Sequence, residues 1–369
     1  MSELLDRIRR FIADPDTDSF DDLALAAFAW SHQRVAPYAR LCDERGRTPG
    51  TVSSWQQIPA LPATAFKTLD VGIAGPDDAD ALTFRSSGTT GGDGVGESGE
   101  GDDDDRAVHR HPFPDLYRAT VDAAFPAVCP LALARPAILA LVPTLEQAPD
   151  SSLAFMVDHL VSRFGGEASA HAFGKRGVDA RVLRSWCGAR QRGGQPVLVL
   201  ATTFALADAV DALERFGLRF RLPPGSAVMD TGGYKGRRRE VTRPELVERV
   251  GQYLGVPAAR IFSEYGMTEL TSQLYTRTLV DDEAAPDLYA APHWVRVTTV
   301  DPASLEAAPE GADGLVSVLD LANLGSALHL LTEDLGRLEP GGLRLVGRAA
   351  GADLRGCSLA VEALAAENS

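Results

Sequence analysis

The stretch Ala137-Ile138-Leu139-Ala140-Leu141-Val142-Pro143 is an unbroken apolar run stopped by proline, which predicts a strand buried on both faces. Leu153, Met156, Val157, Leu160, Val161 and Phe164 follow at helical spacing and stop at Gly165-Gly166. The unit then recurs: Pro196 to Ala201 is a second buried run, and Leu206, Val210, Leu213 and Phe216 follow on one helical face. Ser226 to Met229 and Ala259 to Phe262 predict two further short strands, each ending at a polar, glycine-bearing loop. Strands alternating with helices predict an α/β body.

Upstream, Leu4, Leu5, Ile8, Phe11 and Ile12 form an apolar stripe broken by Asp14-Pro15. Ser19 with Asp22 resembles a capping box that opens a second helix through Leu23, Ala27 and Trp30. A loop-like stretch, Gly46 to Pro62, leads to Ala63-Thr64-Ala65-Phe66-Lys67. Downstream the pattern changes to short strands with turns: His293 to Val300, Gly314 to Leu319, Ala327 to Leu331 and Leu343 to Val346. The expected architecture is a layered α/β body with a β-rich later portion and no internal repeats. Its expected organisation is a body over 1–345, an acidic disordered insertion over 92–105, and a short tail over 346–369 that carries Cys357.

The 369 residues carry 36 Lys+Arg against 51 Asp+Glu, a net charge of −15. Gly92 to Asp105 supplies about half of that excess, so the remainder is only moderately acidic. The window cannot bury enough to offset its ordering entropy, and a solvated loop is the expectation. It contains Gly94-x-Gly96-x-x-Gly99, but no strand precedes it and Asp102 to Asp105 would repel a pyrophosphate. The acidic balance argues against duplex nucleic acid as a partner. No apolar run approaches a membrane span and the N-terminus has no signal-peptide layout. Cys42, Cys129, Cys187 and Cys357 are far apart, without a C-x-x-C pair, which fits a reducing cytoplasm. Only Lys67, Lys175 and Lys235 are lysines.

Four segments can carry chemistry. Thr83-Phe84-Arg85-Ser86-Ser87-Gly88-Thr89-Thr90-Gly91 offers hydroxyls and backbone N–H groups able to surround phosphate oxygens, though a Ser/Thr-rich turn would look the same. It lacks the Gly-Lys-[Ser/Thr] of a Walker A loop. Ser263-Glu264-Tyr265-Gly266-Met267-Thr268-Glu269 places a ring, a hydroxyl and a carboxylate where a strand ends, the edge at which α/β folds collect ligands. Met229-Asp230-Thr231-Gly232-Gly233-Tyr234-Lys235 opens another strand end, and Leu331-Thr332-Glu333-Asp334-Leu335-Gly336 precedes Gly347-Arg348. His109-Arg110-His111 could be a metal fragment, but no third ligand is visible. Arg237-Arg238-Arg239 reads as a solvated basic face or an attractor of phosphates.

In this order the segments resemble the adenylate-forming superfamily of acyl-CoA synthetases and adenylation domains, and more closely the LuxE-type acyl-protein synthetases. Ile58 to Lys67, Phe84 to Gly91 and Arg355-Gly356-Cys357-Ser358-Leu359 carry the LuxE-type likeness. The resemblance implies an AMP-forming ligase that uses ATP and Mg²⁺ to activate a carboxylic acid, a fatty acid in the LuxE-type likeness, as an acyl-adenylate. It implies a phosphate cradle of Ser86, Ser87, Gly88, Thr89, Thr90 and Gly91, and adenine flanked by Gly232, Gly233, Tyr265 and Gly266. Thr268 would touch the α-phosphate, Glu269 would serve Mg²⁺, and Asp334 with Arg348 would hold the ribose end. His111 resembles the LuxE-type histidine after the phosphate loop, and His109 could equally be the match. The lysine-bearing mobile C-terminal domain of larger relatives is expected to be missing. Cys357, with Arg355 near enough to lower a thiol pKa, would then receive the acyl group as a thioester and pass it to a reductase or carrier protein. Two other readings stay open: a ligase in which CoA or a carrier thiol attacks the adenylate directly, and a non-catalytic nucleotide-binding subunit. The acid pocket would lie between the strands, with Thr202, Thr203, Phe204 and Tyr234 as candidate lining.

Overall fold

The computed structural model describes residues 2–75, 77–86, 106–232 and 242–349. Gly92 to Asp105 and Cys357 lie outside the described residues, as do Arg355, Tyr234, Lys235 and Arg237 to Arg239. Among the described residues are eight α-helices and sixteen strands. Helices α1 (Ser2–Ala13), α2 (Phe20–His32) and α3 (Ala36–Glu44) come first. The Ser19 hydroxyl caps α2 by accepting the Asp22 N–H at 3.4 Å, as its spacing predicts.

Next are β1 (Leu61–Pro62), the antiparallel pair β2 (Leu82–Arg85) and β3 (Val108–His111), and α4 (Pro114–Val128). The α/β body continues through β4 (Ala137–Leu141), α5 (Ser152–Phe164) and β5 (Ala170–His171). After a small hairpin, β6 (Phe173–Gly174) with β7 (Gly177–Val178), come α6 (Ala180–Gly193), β8 (Val197–Thr202), α7 (Thr203–Arg215) and β9 (Ala227–Thr231). Then α8 (Arg243–Leu254) leads into β10 (Ile261–Tyr265). Strands β5, β4, β8, β9 and β10 are parallel neighbours in that order.

Alternation along these strands divides the core. Ile138, Ala140, Leu198, Leu200, Met229 and Phe262 pack on one face with Phe125 of α4 and Leu160 of α5. Leu139, Leu141, Val199, Val228 and Ile261 pack on the other with Leu183, Val210 and Val250 of α6, α7 and α8. Both faces are covered, which is why the strands are continuous apolar runs, each buried leucine or isoleucine contributing about 1.5–3 kcal/mol. The three cysteines of the described region are buried packing residues. Burial pushes the thiols of Cys42 and Cys187 up to about 12 and that of Cys129 to about 11.

The β-rich later portion extends the same sheet. Antiparallel β11 (Leu274–Thr276), β12 (Leu288–Ala290), β16 (Gly342–Arg348), β15 (His329–Glu339), β14 (Asp313–Asp320) and β13 (Val295–Val300) follow β10, and β1 pairs parallel with β15. Strand β15 is longer than the Ala327–Leu331 segment predicted from sequence. Pairing on both sides, with β14 and β16, carries it through polar Thr332, Glu333 and Asp334. Helices α3, α4, α6 and α8 were not anticipated by the pattern of glycine and proline; α4 even holds Pro126 in its last turn.

One buried knot joins the two halves. The Asp320 carboxylate, fully buried, accepts the N–H groups of Thr271 and Ser272 at 3.2 and 2.8 Å. It also accepts the Ser272 hydroxyl at 2.8 Å and the Ala322 N–H at 2.9 Å. Asn323 donates to the carbonyls of Glu269 and Ala327 at 3.0 and 2.8 Å and accepts the Thr271 hydroxyl at 2.8 Å. Residues 266–273, between β10 and β11, are thereby fixed to the β14–β15 connection. Asp320→Ala strands four buried donors. It is expected to lower unfolding free energy by roughly 3 kcal/mol or more, measured by urea unfolding. Asp301→Ala, which removes an exposed carboxylate capping its own turn, is expected to cost about 1 kcal/mol or less.

Candidate active site

The C-terminal ends of β8, β9 and β10 meet at one edge of the sheet. Thr202 leaves β8 by capping α7, its hydroxyl accepting the Ala205 N–H at 3.0 Å. The Thr203 hydroxyl donates to the Gly232 carbonyl at 2.6 Å and lies 3.1 Å from Asp230. Asp230 also accepts the Ser263 hydroxyl at 2.6 Å and Arg243 of α8 at 3.0 Å. Gly232 turns the chain out of β9 at φ +73°, a conformation that favours glycine. Gly233 lies outside the described residues.

Three residues far apart in sequence come together beside this edge. Tyr265, the last residue of β10, donates its hydroxyl to Asp334 Oδ2 at 2.9 Å. Asp334 is paired across the sheet with Arg348, whose guanidinium lies 3.7 Å from Asp334 and donates to Glu333 at 3.0 Å. The register of β15 against β16 shifts just after Asp334, so the pairing there is irregular. Burial, followed by the Asp334 charge, holds the Tyr265 phenol well above its ordinary pKa. A Cβ at Gly266 would strike Glu264 Oε1, so a side chain there would have to displace the Glu264 carboxylate.

Strand β3 lies along the loop that follows Gly266. His109 Nδ1 is 2.9 Å from the Thr268 carbonyl, so this nitrogen carries the proton. Its Nε2 is buried and has no hydrogen-bond partner. His111 differs: Nδ1 accepts the Phe113 N–H at 3.2 Å, and Nε2 is 2.8 Å from the Thr271 hydroxyl. Both imidazoles are held neutral by burial, His109 down to about 4 and His111 to about 3, the latter also by the neighbouring His109. Glu269 is buried in the same loop, and its carbonyl is held by Asn323. Among the described residues no group of three or more His, Cys, Asp and Glu forms a metal cage.

Ser86 closes the β2–β3 pair. Its N–H donates to the Ala107 carbonyl at 2.9 Å, and its hydroxyl accepts the Ala107 N–H at 3.0 Å. Arg106 donates to the Ser86 carbonyl at 2.6 Å and to Asp150 at 3.2 Å. Ser87, Gly88, Thr89, Thr90 and Gly91 lie outside the described residues, which leave and re-enter at these adjacent strand ends.

Glu264, Asp230, Asp320, Asn323, Gln273 and Tyr117 complete the site and were not singled out from sequence. Only the first two had a signal, their position at strand ends. Glu264 is buried beside Thr231, whose hydroxyl donates to its carboxylate. Burial raises its pKa to about 7, the Thr231 hydrogen bond opposing and the Asp230 charge adding to the rise.

Comparison with solved structures gives the fold. The chain aligns with the open conformation of 2-hydroxyisobutyryl-CoA ligase, a structure containing 2-HIB-AMP and CoA, at TM-score 0.60 and 14% identity, covering 89% of this chain and 74% of that one. The postadenylation state of that ligase, in complex with 2-HIB-AMP, aligns at TM-score 0.60 and 14% identity over 89% of this chain and 67% of that one. The chain spans about half (49%) of ATP-bound MatB from Rhodopseudomonas palustris, at 14% identity, 74% of this chain and TM-score 0.48. The fold is that of an adenylate-forming ligase. The family model for LuxE acyl-protein synthetases matches residues 181–365, half of the sequence, and the chain belongs to that family, an AMP-forming ligase by class. No curated protein matches the sequence. Among the described residues no helix is long and apolar enough to cross a membrane.

The folded chain binds the Glu264 proton more tightly than an unfolded chain, whose carboxyl titrates near 4.5. The stability that this proton provides is full at low pH and is lost as pH rises from about 4.5 to about 7. The loss is of order 3 kcal/mol. Glu264→Gln is expected to remove that fall, seen as a flatter stability curve by urea unfolding across this window; parallel curves for parent and variant would refute the assignment.

Proposed function

We propose that the chain activates a carboxylic acid with ATP, releasing pyrophosphate, and then transfers the acyl group to Cys357 and onward to a partner protein. The observation that carries this reading is the convergence of Tyr265, Asp334 and Arg348 at the C-terminal edge of the sheet, next to a loop pinned by Asp320 and Asn323. Tyr265 and Asp334 form one hydrogen-bonded surface for the adenine and ribose end, and Arg348 places a cation beside it. Gly232 turns the chain at a positive φ that favours glycine, and at Gly266 a side chain would crowd the Glu264 carboxylate. The loop of Ser86 to Gly91 supplies the phosphate cradle, and Glu269 supplies one carboxylate for Mg²⁺, which binds through few protein ligands and completes its shell with phosphate and water. Mg²⁺, when bound, neutralises phosphate charge.

A carboxylate is a poor acyl donor until its oxygen is esterified to phosphate. Attack of that oxygen on the α-phosphorus expels pyrophosphate. Attack of the Cys357 thiolate on the carbonyl then expels AMP and leaves a thioester. Thr268 and the donors around it hold the α-phosphate. We assign the functional histidine to His109 in place of His111, because His111 has both ring nitrogens engaged whereas His109 keeps an unshared Nε2 lone pair in the site.

With ATP, Mg²⁺ and a suitable acid the protein is expected to acquire a hydroxylamine-labile acyl label. Cys357→Ser abolishes the label and keeps ATP–pyrophosphate exchange, whereas Glu269→Gln lowers the exchange about a hundredfold. Undiminished acyl transfer to CoA by Cys357→Ser would overturn the covalent relay. Absence of exchange by the parent with every acid would leave nucleotide binding alone.

A further inference from the structure

Behind the Tyr265–Gly266 turn, on the sheet face covered by α4 and α5, polar side chains gather in an otherwise apolar and aromatic core. Glu264 and Tyr275 are directly opposite on β10 and β11, and Thr231 is the partner of Glu264 on β9, so all three project from one face. Tyr117 approaches them from α4, its hydroxyl donating to the Ser152 carbonyl at 3.4 Å while the Gln273 amide opposes the rise of its pKa. The orientation of that amide follows from Nε2, which donates to the Thr271 carbonyl at 3.0 Å. Two atoms remain without a partner, Gln273 Oε1 and Tyr275 Oη, in residues only 3% and 2% exposed. A methyl group placed on Gly266 would strike Glu264 Oε1 and lie 3.9 Å from Gln273 Cγ, so both side chains border the same spot. The Phe125 and Phe262 rings lie 6.1 and 6.5 Å from that of Tyr275 and supply apolar walls.

Leaving a buried polar atom unpaired is costly, and such an atom persists where a ligand or a trapped water completes it. Gln273 Oε1 only accepts, Glu264 accepts once it has lost its proton, and the Tyr275 hydroxyl both accepts and donates. A plain alkyl chain satisfies none of them. A hydroxyl or amino group donates to Gln273 or Glu264, and a hydroxyl can also accept from Tyr275.

We propose that this buried cluster receives a hydrogen-bond donor on the chain of the activated acid, so that the substrates are hydroxy- or amino-substituted carboxylic acids and not plain alkanoic acids. The proposal rests on the acid-activating reading and replaces the fatty acid that family resemblance implies. The test is pyrophosphate release with straight-chain acids and with hydroxy- and amino-substituted acids of matched length. Substituted acids are expected to exceed their unsubstituted counterparts in kcat/KM by about tenfold or more, with the ratio shrinking toward one in Tyr275→Phe. Glu264→Gln should weaken amino acids more than hydroxy acids if the donor is an ammonium, and both alike if it is a hydroxyl. Equal use of both sets by the parent overturns the proposal and leaves a cluster that holds water only; so does a ratio that Tyr275→Phe leaves unchanged. Absence of pyrophosphate release with every acid overturns the acid-activating reading itself, and the proposal with it.

Discussion

Four donors converge on one buried carboxylate, Asp320, and the position of the 266–273 loop depends on that convergence. The loop has no regular pairing of its own. Its backbone N–H groups at Thr271 and Ser272 are buried and must find acceptors within the protein. Asp320, at the end of β14, accepts both, and Asn323 of the β14–β15 connection accepts the Thr271 hydroxyl. That connection is itself held to the N-terminal region, where Ser326 donates to the Val71 carbonyl and the Ile73 N–H to that of Gly325. Burial raises the Asp320 carboxyl to about 6 even though its hydrogen bonds pull the other way. The group is therefore a fixed acceptor whose placement is bought by its neighbours rather than by solvent. Everything attached to the loop, including Thr268, Glu269 and the His109 contact, inherits its position.

The same logic accounts for the Tyr265–Asp334 pair. Tyr265 ends a parallel strand and Asp334 sits within an antiparallel one, and the two halves of the sheet place them at hydrogen-bond distance through β11, β12 and β16. Register is what makes this possible. A one-residue slip of β15 against β16 would turn Asp334 to the other face. The register irregularity falls between Leu335 and Gly336, past Asp334, whose pairing with Arg348 is kept.

Much of the parallel half was legible because its strands are buried on both faces, and both-face burial writes itself as unbroken apolar sequence. The runs at 137–142 and 196–201 became β4 and β8 within a residue or so. Polar strands leave no such mark: β15 was cut short at Leu331 because Thr332-Glu333-Asp334 reads as loop, although its hydrogen-bonding partners are supplied by strands remote in sequence. The site divides in the same way. Tyr265, Asp334 and Arg348 were accessible through resemblance, because their types recur in a fixed order. Asp320 and Asn323 were not, because a lone Asp-x-x-Asn carries no periodicity, and its importance comes from three donors held 48 or 49 residues away. His109 and His111 could not be separated from sequence. In the structure they differ in that both ring nitrogens of His111 are engaged, whereas only Nδ1 of His109 is.

Strand alternation also gives the site two sides. Ser263 and Tyr265 project from one face of β10, with Asp230 of β9 and Tyr289 of β12; Glu264 projects from the other, with Thr231 and Tyr275. Two consecutive residues, Glu264 and Tyr265, thus serve different neighbourhoods: an aromatic and carboxylate surface toward β15, and a buried acceptor cluster toward α4. The two sides come together where the strand ends, at Gly266, where a methyl group would collide with the Glu264 carboxylate. That neighbouring side chain, and not the backbone, accounts for the glycine, since its φ is not among the positive values of the described residues.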